Sequence, residues 1–228
     1  MITFEAWPKT PRLSADRTSI TEKIDGTNAA VVILPVNPHP ELGLDIDPRD
    51  LGGFNLVHDK NDPDAKAYVI GAQSRKRMIE PAVLGGSDNA GFASWVLDNS
   101  VELVDLLGPG RHFGEWWGQG IQRAYGMDRK VFSLFNYFRF SKIAQERHDW
   151  RNRARGINMT TVPLISVGKF SDTNIKDALD LLRVNGSFAS AEWGFPFDRP
   201  EGVIIRHADL GGNLKAFIEN DDIPKGLQ

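Results

Sequence analysis

Four charged residues stand inside stretches that otherwise read as strands, and a fifth stretch closes a strand with cations. Lys23 lies in EKIDGTN (22–28), between Glu22 and Asp25 and just ahead of Gly26. Glu115 sits among aromatics in FGEW (113–116), Glu201 at the mouth of a strand in PEGVIIR (200–206), and Lys215 inside NLKAF (213–217). QSRKR (73–77) ends a strand with Arg75, Lys76 and Arg77. One such charge is ordinarily solvated or paired with a neighbour, and the plain reading of EKIDGTN is a surface hairpin. The sharper reading is a lysine held for covalent chemistry, because a neutral amine is a nucleophile. No histidine or unpaired carboxylate near Lys23 reads as its base, and Asp25 paired to it would hold the cation. The order of all five stretches together favours the sharper reading.

The bulk composition narrows the classes around them. The 228 residues contain no cysteine, which excludes disulfides, thiolate catalysis and Cys-based zinc sites. The histidines His39, His58, His112, His148 and His207 show no ligand spacing, so a zinc site is not expected. With a formal net charge of −3, the chain is no basic coat for nucleic acid, and any polyanion site must be a local patch. The N-terminus lacks a signal-peptide core and no apolar run reaches membrane-spanning length, so the expectation is a soluble cytoplasmic protein with no membrane partner.

Strands must position most of these charges. AAVVIL (29–34), AYVIGAQS (67–74), RHFGEWWG (111–118), KVFSLFNYFRF (130–140), GVIIRH (202–207) and NLKAFI (213–218) read as strands from their β-branched and aromatic content. The Pro-, Gly- and Asp-rich stretch 35–64 reads as loop with one short strand. Apolar spacing predicts one helix from Gly91 to Leu107, closed by GPG, a polar and basic surface helix over 141–156, and a third helix over 174–184 ended by Gly186. The expectation is one α+β domain over residues 1–228, built on antiparallel sheets flanked by helices, with no separate C-terminal domain.

The ordered set EKIDGTN, FGEW, FSLFNYF, PEGVIIR and NLKAF resembles the motifs of the covalent nucleotidyltransferase superfamily, the polynucleotide ligases and mRNA capping enzymes. EKIDGTN and FGEWWGQGIQRAYG are most similar to the ATP-dependent RNA ligases. KxDG alone is common by chance; five matches in register, spanning about residues 20 to 218, are specific. The resemblance implies an ATP-grasp-like ligase adenylation fold, ATP and Mg²⁺ or Mn²⁺ as cofactors, and RNA ends or a nicked duplex as partner. It implies Lys23 as nucleophile, with Glu22 and Asn28 helping to fix nucleotide and substrate ends. Glu115 would accept from the ribose hydroxyls, Glu201 would bind the metal, and Lys215 would neutralise the α-phosphate. Arg75, with Arg77 as alternative, would grip a phosphate, and Phe135 would stack on the purine, strand alternation setting it on the face opposite Leu134 and Asn136. A lysine nucleophile must react as the free amine. Against an ordinary pKa of about 10.4, that costs roughly 4–5 kcal/mol at neutral pH unless nearby cations help. Lys215, an arginine of QSRKR and a divalent cation are the expected helpers.

Phe217 departs from the pattern, since a second lysine is common there. The chain also ends soon after NLKAF, where many relatives add a further domain. A DNA nick ligase or GTP-dependent capping enzyme is the alternative within the superfamily. A binder of nucleic-acid ends without turnover is the alternative outside it. The arginines Arg147, Arg151, Arg153 and Arg155 read equally as a phosphate track or as a solvated helix face laced with Glu146 and Asp149.

Overall fold

A computed structural model describes residues 18–36, 47–58, 67–207 and 212–218. Most of the Pro-rich stretch, and nearly all of the Gly-rich turn before the last strand, lie outside them. In chain order the elements are β1 (Thr18–Lys23), β2 (Thr27–Val36), β3 (Asn55–His58), β4 (Ala67–Ser74), β5 (Met78–Ile79), α1 (Phe92–Asp98), α2 (Ser100–Leu107), β6 (Gly110–Gly118) and β7 (Lys130–Leu134). There follow α3 (Tyr137–Glu146), α4 (Trp150–Gly156), β8 (Met159–Thr161), β9 (Leu164–Gly168), α5 (Asp172–Asn185), α6 (Phe188–Ala191), β10 (Gly202–His207) and β11 (Asn213–Phe217).

The strands form two sheets. The larger has the order β3-β4-β2-β6-β7-β8, with β5 on β4; the smaller has the order β11-β10-β1-β9. All pairs are antiparallel except β7 with β8. That exception follows from the connection, because α3 and α4 lie between these two strands and supply the crossover a parallel pair needs. The α+β architecture of antiparallel sheets flanked by helices is thus observed, with one parallel pair added.

The apolar run of β2 occupies the middle of the larger sheet, and Ala29 to Ile33 are all buried. Beside it, Phe92 and Trp95 of α1 meet Trp116 and Phe132 with ring centroids 5.0–5.6 Å apart. On the smaller sheet, Ala178 and Leu182 of α5 cover Ile20, Val203 and Ile205. This leaves the opposite face of that sheet, carrying Ser19, Thr21 and Lys23 of β1, free for a site.

Three expected elements differ in extent. The Gly91–Leu107 helix is two, because Asn99 leaves helical geometry (φ −109°, ψ 16°) and its side-chain amide donates to the Trp95 carbonyl. KVFSLFNYFRF is a strand only to Leu134. The Asn136 side chain then accepts from the Arg139 amide at 3.3 Å and starts α3, so the alternation expected for Phe135 and Asn136 does not apply. The basic helix over 141–156 is likewise two, interrupted between Glu146 and Trp150.

Candidate active site

EKIDGTN is not a hairpin. β1 ends at Lys23 and β2 starts at Thr27, but the two strands belong to different sheets, so Ile24, Asp25 and Gly26 carry the chain from one sheet to the other. Each is fixed. Ile24 is buried with Trp117, Tyr125, Val131 and Val162. The Asp25 amide donates to the Tyr125 hydroxyl at 2.8 Å, and Arg123 Nε donates to the Asp25 carboxylate at 3.1 Å. Gly26 must be glycine, because a Cβ there would stand 2.6 Å from the Trp116 carbonyl oxygen and 2.8 Å from the Trp117 Cβ. Asp25 therefore pairs with Arg123 and leaves Lys23 to another partner.

That partner is Glu201, whose Oε2 accepts from Lys23 Nζ at 2.5 Å, with the two side chains 22% and 14% exposed. The sheet register explains the meeting. Lys23 pairs with Gly202 of β10, and Gly202 pairs with Phe217 of β11. Gly202 has no side chain to fill the row, and a Cβ there would meet the Ala216 carbonyl oxygen at 2.1 Å. Lys23 thus reaches across it, its Nζ 5.6 Å from the centroid of the Phe217 ring. Lys215, two residues back on β11 and on the same face, lies over the same ring at 4.7 Å. Where a second lysine was expected, an aromatic ring carries both ammonium groups.

The larger sheet supplies the facing wall. Arg111, Phe113 and Glu115 alternate along β6 and share one face. Glu115 stands directly opposite Asn28 of β2, which puts these two expected residues side by side. Burial pushes the Glu115 carboxyl up to about 7, against the lowering pull of Lys23; Glu201 adds to the rise, and a hydrogen bond from the Gly26 amide opposes it. Between the sheets lies a cleft of about 360 Å³ that Lys23, Glu115 and Phe135 all line. Phe135, just past the end of β7, is 40% exposed there, with the exposed rings of Phe113 and Phe138 nearby on the same wall. At the base, His112 is buried, bonded through Nε2 to the Gly108 carbonyl at 2.9 Å, and burial draws its pKa down to about 4, so it is neutral.

Of the expected residues, Glu22, Lys23, Glu115 and Phe135 line the cleft, whereas Asn28, Glu201 and Lys215 stand beside it and Arg75 lies elsewhere. Glu22 also borders the cleft, but its carboxylate is 99% buried on the other side of β1, accepting from Ser187 Oγ at 2.6 Å and from the Ala189 amide at 2.9 Å. Burial pushes it up to about 7, with those hydrogen bonds opposing. Arg75 is exposed in the β4–β5 turn and does not line the cleft, and Arg77 donates to Ser87 Oγ at 2.9 Å. The arginines that do line it are Arg111, Arg139 and Arg206. Period-two alternation in RHFGEW and GVIIRH was the signal for two of them: Arg111 falls on the face of Glu115, and Arg206 on the face of Gly202.

No three metal-ligating side chains converge among the described residues. One or two carboxylates still suit Mg²⁺ or Mn²⁺, hard ions that keep several waters and take substrate phosphate oxygens. Glu115 in the cleft and Glu201 beside it, bonded to Lys23 and close enough to raise the Glu115 pKa, are oxygen donors that fit such an ion.

The RNA ligase family profile matches residues 16–217, most of the chain. The chain belongs to the RNA ligase family. No curated protein sequence matches it. Among solved structures it is similar to mutants of a Naegleria gruberi RNA ligase with ATP and manganese. One has 15% identity over 89% of this chain and 50% of that one, with a TM-score of 0.50. Two others have 13% and 15% identity over 90% and 95% of this chain and 49% and 57% of theirs, each with a TM-score of 0.49. At such identity the likeness is one of fold. This RNA-ligase-family chain spans about half the length of the structures it matches. Among its described residues no helix is long and apolar enough to cross a membrane.

Proposed function

We propose that the protein is an ATP-dependent RNA ligase that joins 5′-phosphate and 3′-hydroxyl ends. The observation that supports this reading is Lys23, paired with Glu201 and sharing the Phe217 ring with Lys215, lining a cleft that also holds Glu115 and exposed aromatic rings. The Lys23 amine attacks the α-phosphorus of ATP; an N–P bond forms, the bond to the β-phosphate oxygen breaks, and pyrophosphate leaves. The 5′-phosphate of an RNA strand then takes the AMP from Lys23, and the adjoining 3′-hydroxyl displaces AMP to seal the phosphodiester.

Each residue has a physical reason for its part. An ammonium has no lone pair to offer, so Lys23 attacks only as the free amine, after its pair with Glu201 opens and a proton passes to water. When bound, Mg²⁺ or Mn²⁺ supplies positive charge to the triphosphate and a second partner for Glu201. Lys215 places charge where the α-phosphate becomes more negative, and Arg206 and Arg111 add donors for the other phosphates. Glu115 accepts from the ribose hydroxyls in its ionised form, and Phe135 stacks on the base. Asn28, opposite Glu115, helps to hold the substrate end, and Glu22 acts by fixing β1 against α6.

Intact-mass measurement after incubation with ATP and Mg²⁺ tests the reading. The expected result is a mass gain of one AMP, absent in Lys23→Ala, followed by sealing of a nicked RNA duplex. Labelling from GTP but not ATP would favour capping chemistry. Sealing of DNA nicks alone would favour a DNA ligase. An unmodified protein that still binds RNA ends would make it a binder without turnover.

A further inference from the structure

A second cleft, of about 300 Å³, lies across Phe140 from the nucleotide cleft, and Phe140 lines both. Its walls come from α3, α4, β8 and the turn after α6. The arginines of α4 divide around it. Arg153 is taken by Glu102, bidentate at 2.6 and 2.9 Å, and by Asp105 at 2.6 Å; Arg147, just before the helix, is taken by Asp105 at 2.8 Å. Arg151 and Arg155, one turn apart, line the second cleft instead. Arg151 is exposed and pairs with no acid among the described residues. Arg155 is held in place, its guanidinium 4.6 Å from the centroid of the Trp193 ring and one Nη2 hydrogen donated to the Glu192 carbonyl. Most of its donor fork therefore stays available at a fixed position. Trp193, whose ring carries that guanidinium, lines the cleft as well.

One feature does not suit a simple anion: the Glu192 carboxylate, which accepts from Thr160 Oγ1 at 3.2 Å and borders the same cleft. An acceptor-only group opposes free phosphate, but it is a partner for a ribose 2′-hydroxyl, which donates. Two guanidiniums beside one such acceptor match a ribose–phosphate backbone.

We infer that the Arg151–Arg155–Glu192 cleft holds the sugar–phosphate backbone of an RNA strand whose end lies in the nucleotide cleft. The inference rests on the proposed function for its choice of RNA over another polyanion.

Fluorescence anisotropy of a labelled single-stranded RNA, and of a DNA of the same sequence, against the full chain at several salt concentrations tests it. Arg151→Gln is expected to weaken RNA binding roughly tenfold, as loss of a hydrogen bond to a charged group does. It should also make the slope of log affinity against log salt shallower by about 0.7 for each phosphate that Arg151 neutralises. Glu192→Ala is expected to bring the RNA-to-DNA affinity ratio down towards one. Arg151 and Glu192 are both exposed, so neither change empties the core. Wild-type affinity and salt slope in Arg151→Gln would overturn the cleft, as would displacement of the RNA by millimolar inorganic phosphate. An unchanged RNA-to-DNA ratio in Glu192→Ala would overturn the ribose contact. Adduct formation from ATP is measured on the same wild-type sample. A chain that binds RNA in this cleft but forms no adduct would remove the proposed chemistry and keep the binding site.

Discussion

Glu22 offers a test that needs neither nucleotide nor RNA. Its carboxyl is buried, touches Ser187 Oγ and the Ala189 amide, and is pushed from an ordinary value near 4.5 up to about 7. A carboxyl raised on folding contributes stability that is fully present below its unfolded pKa and is lost as pH rises through the folded one. The window is therefore pH 4.5 to 7, and a rise of about 2.5 units at 1.36 kcal/mol per unit makes the swing roughly 3 kcal/mol. Glu22→Gln removes the ionisation and keeps the shape. The amide oxygen can accept from Ala189 and the amide nitrogen can donate to Ser187, whose hydroxyl rotates to suit. Urea denaturation of both proteins at half-unit steps from pH 4.5 to 8 gives the difference directly. Glu115, raised in the same direction and window, is present in both proteins and largely drops out. The variant should match the wild type within about 1 kcal/mol near pH 4.5 and exceed it by roughly 3 kcal/mol at pH 8. A difference flat with pH would refute the reasoning, for it would mean that Glu22 stays ionised throughout and that its hydrogen bonds offset its burial. Glu22→Ala serves as the contrast: it leaves buried donors unpaired and should be destabilised at every pH.

The remaining predictions concern the sheet crossing and the lysine row. Phe217→Leu should slow adduct formation several-fold with little change in the KM for ATP, since each cation over the ring is worth roughly 0.5–1 kcal/mol, and Phe217→Trp should keep the wild-type rate in single-turnover measurements. Gly26→Ala should lower the unfolding free energy by about 1–3 kcal/mol in denaturant titrations, because the added methyl meets backbone it cannot displace. Glu201→Gln should alter stability by less than about 1 kcal/mol, the pair with Lys23 being partly solvated, yet raise the Mg²⁺ concentration for half-maximal adduct formation tenfold or more.

What the sequence made legible follows from the range of the forces involved. β4 and β10 were readable to the residue, because β-branched content and flanking turn residues are local signals. The end of β7 was not. The aromatic run through Phe138 keeps its strand character, and only the cap made by Asn136 stops it, a competition that composition does not reveal. The division of the α4 arginines was equally hidden. Asp149, an acid in view, does accept from Arg153 at 3.4 Å, but Glu102 and Asp105 of α2, far off in sequence, hold Arg153 at 2.6 Å, and Asp105 claims Arg147 as well. Glu115 and Phe135 could be proposed from their motifs, and both line the cleft between the sheets. Arg75 could be proposed from a run of cations, but the β4–β5 turn holds it elsewhere.

The departure at Phe217 takes on a different meaning once the register is known. A strand pairing of Lys23 with Gly202 and of Gly202 with Phe217 places Lys23 and position 217 two strands apart, with only a glycine between them. A second lysine at 217 would set three ammonium groups around one carboxylate, and in the absence of substrate they would repel one another at short range. A neutral ring at that place attracts both Lys23 and Lys215 through its electron-rich face, so the two cations are gathered without adding a third. On the proposed chemistry, the charge that a second lysine would have lent a triphosphate then has to come from another element. Arg206, on the same face of β10 as Gly202 and already lining the cleft, stands where it can supply it.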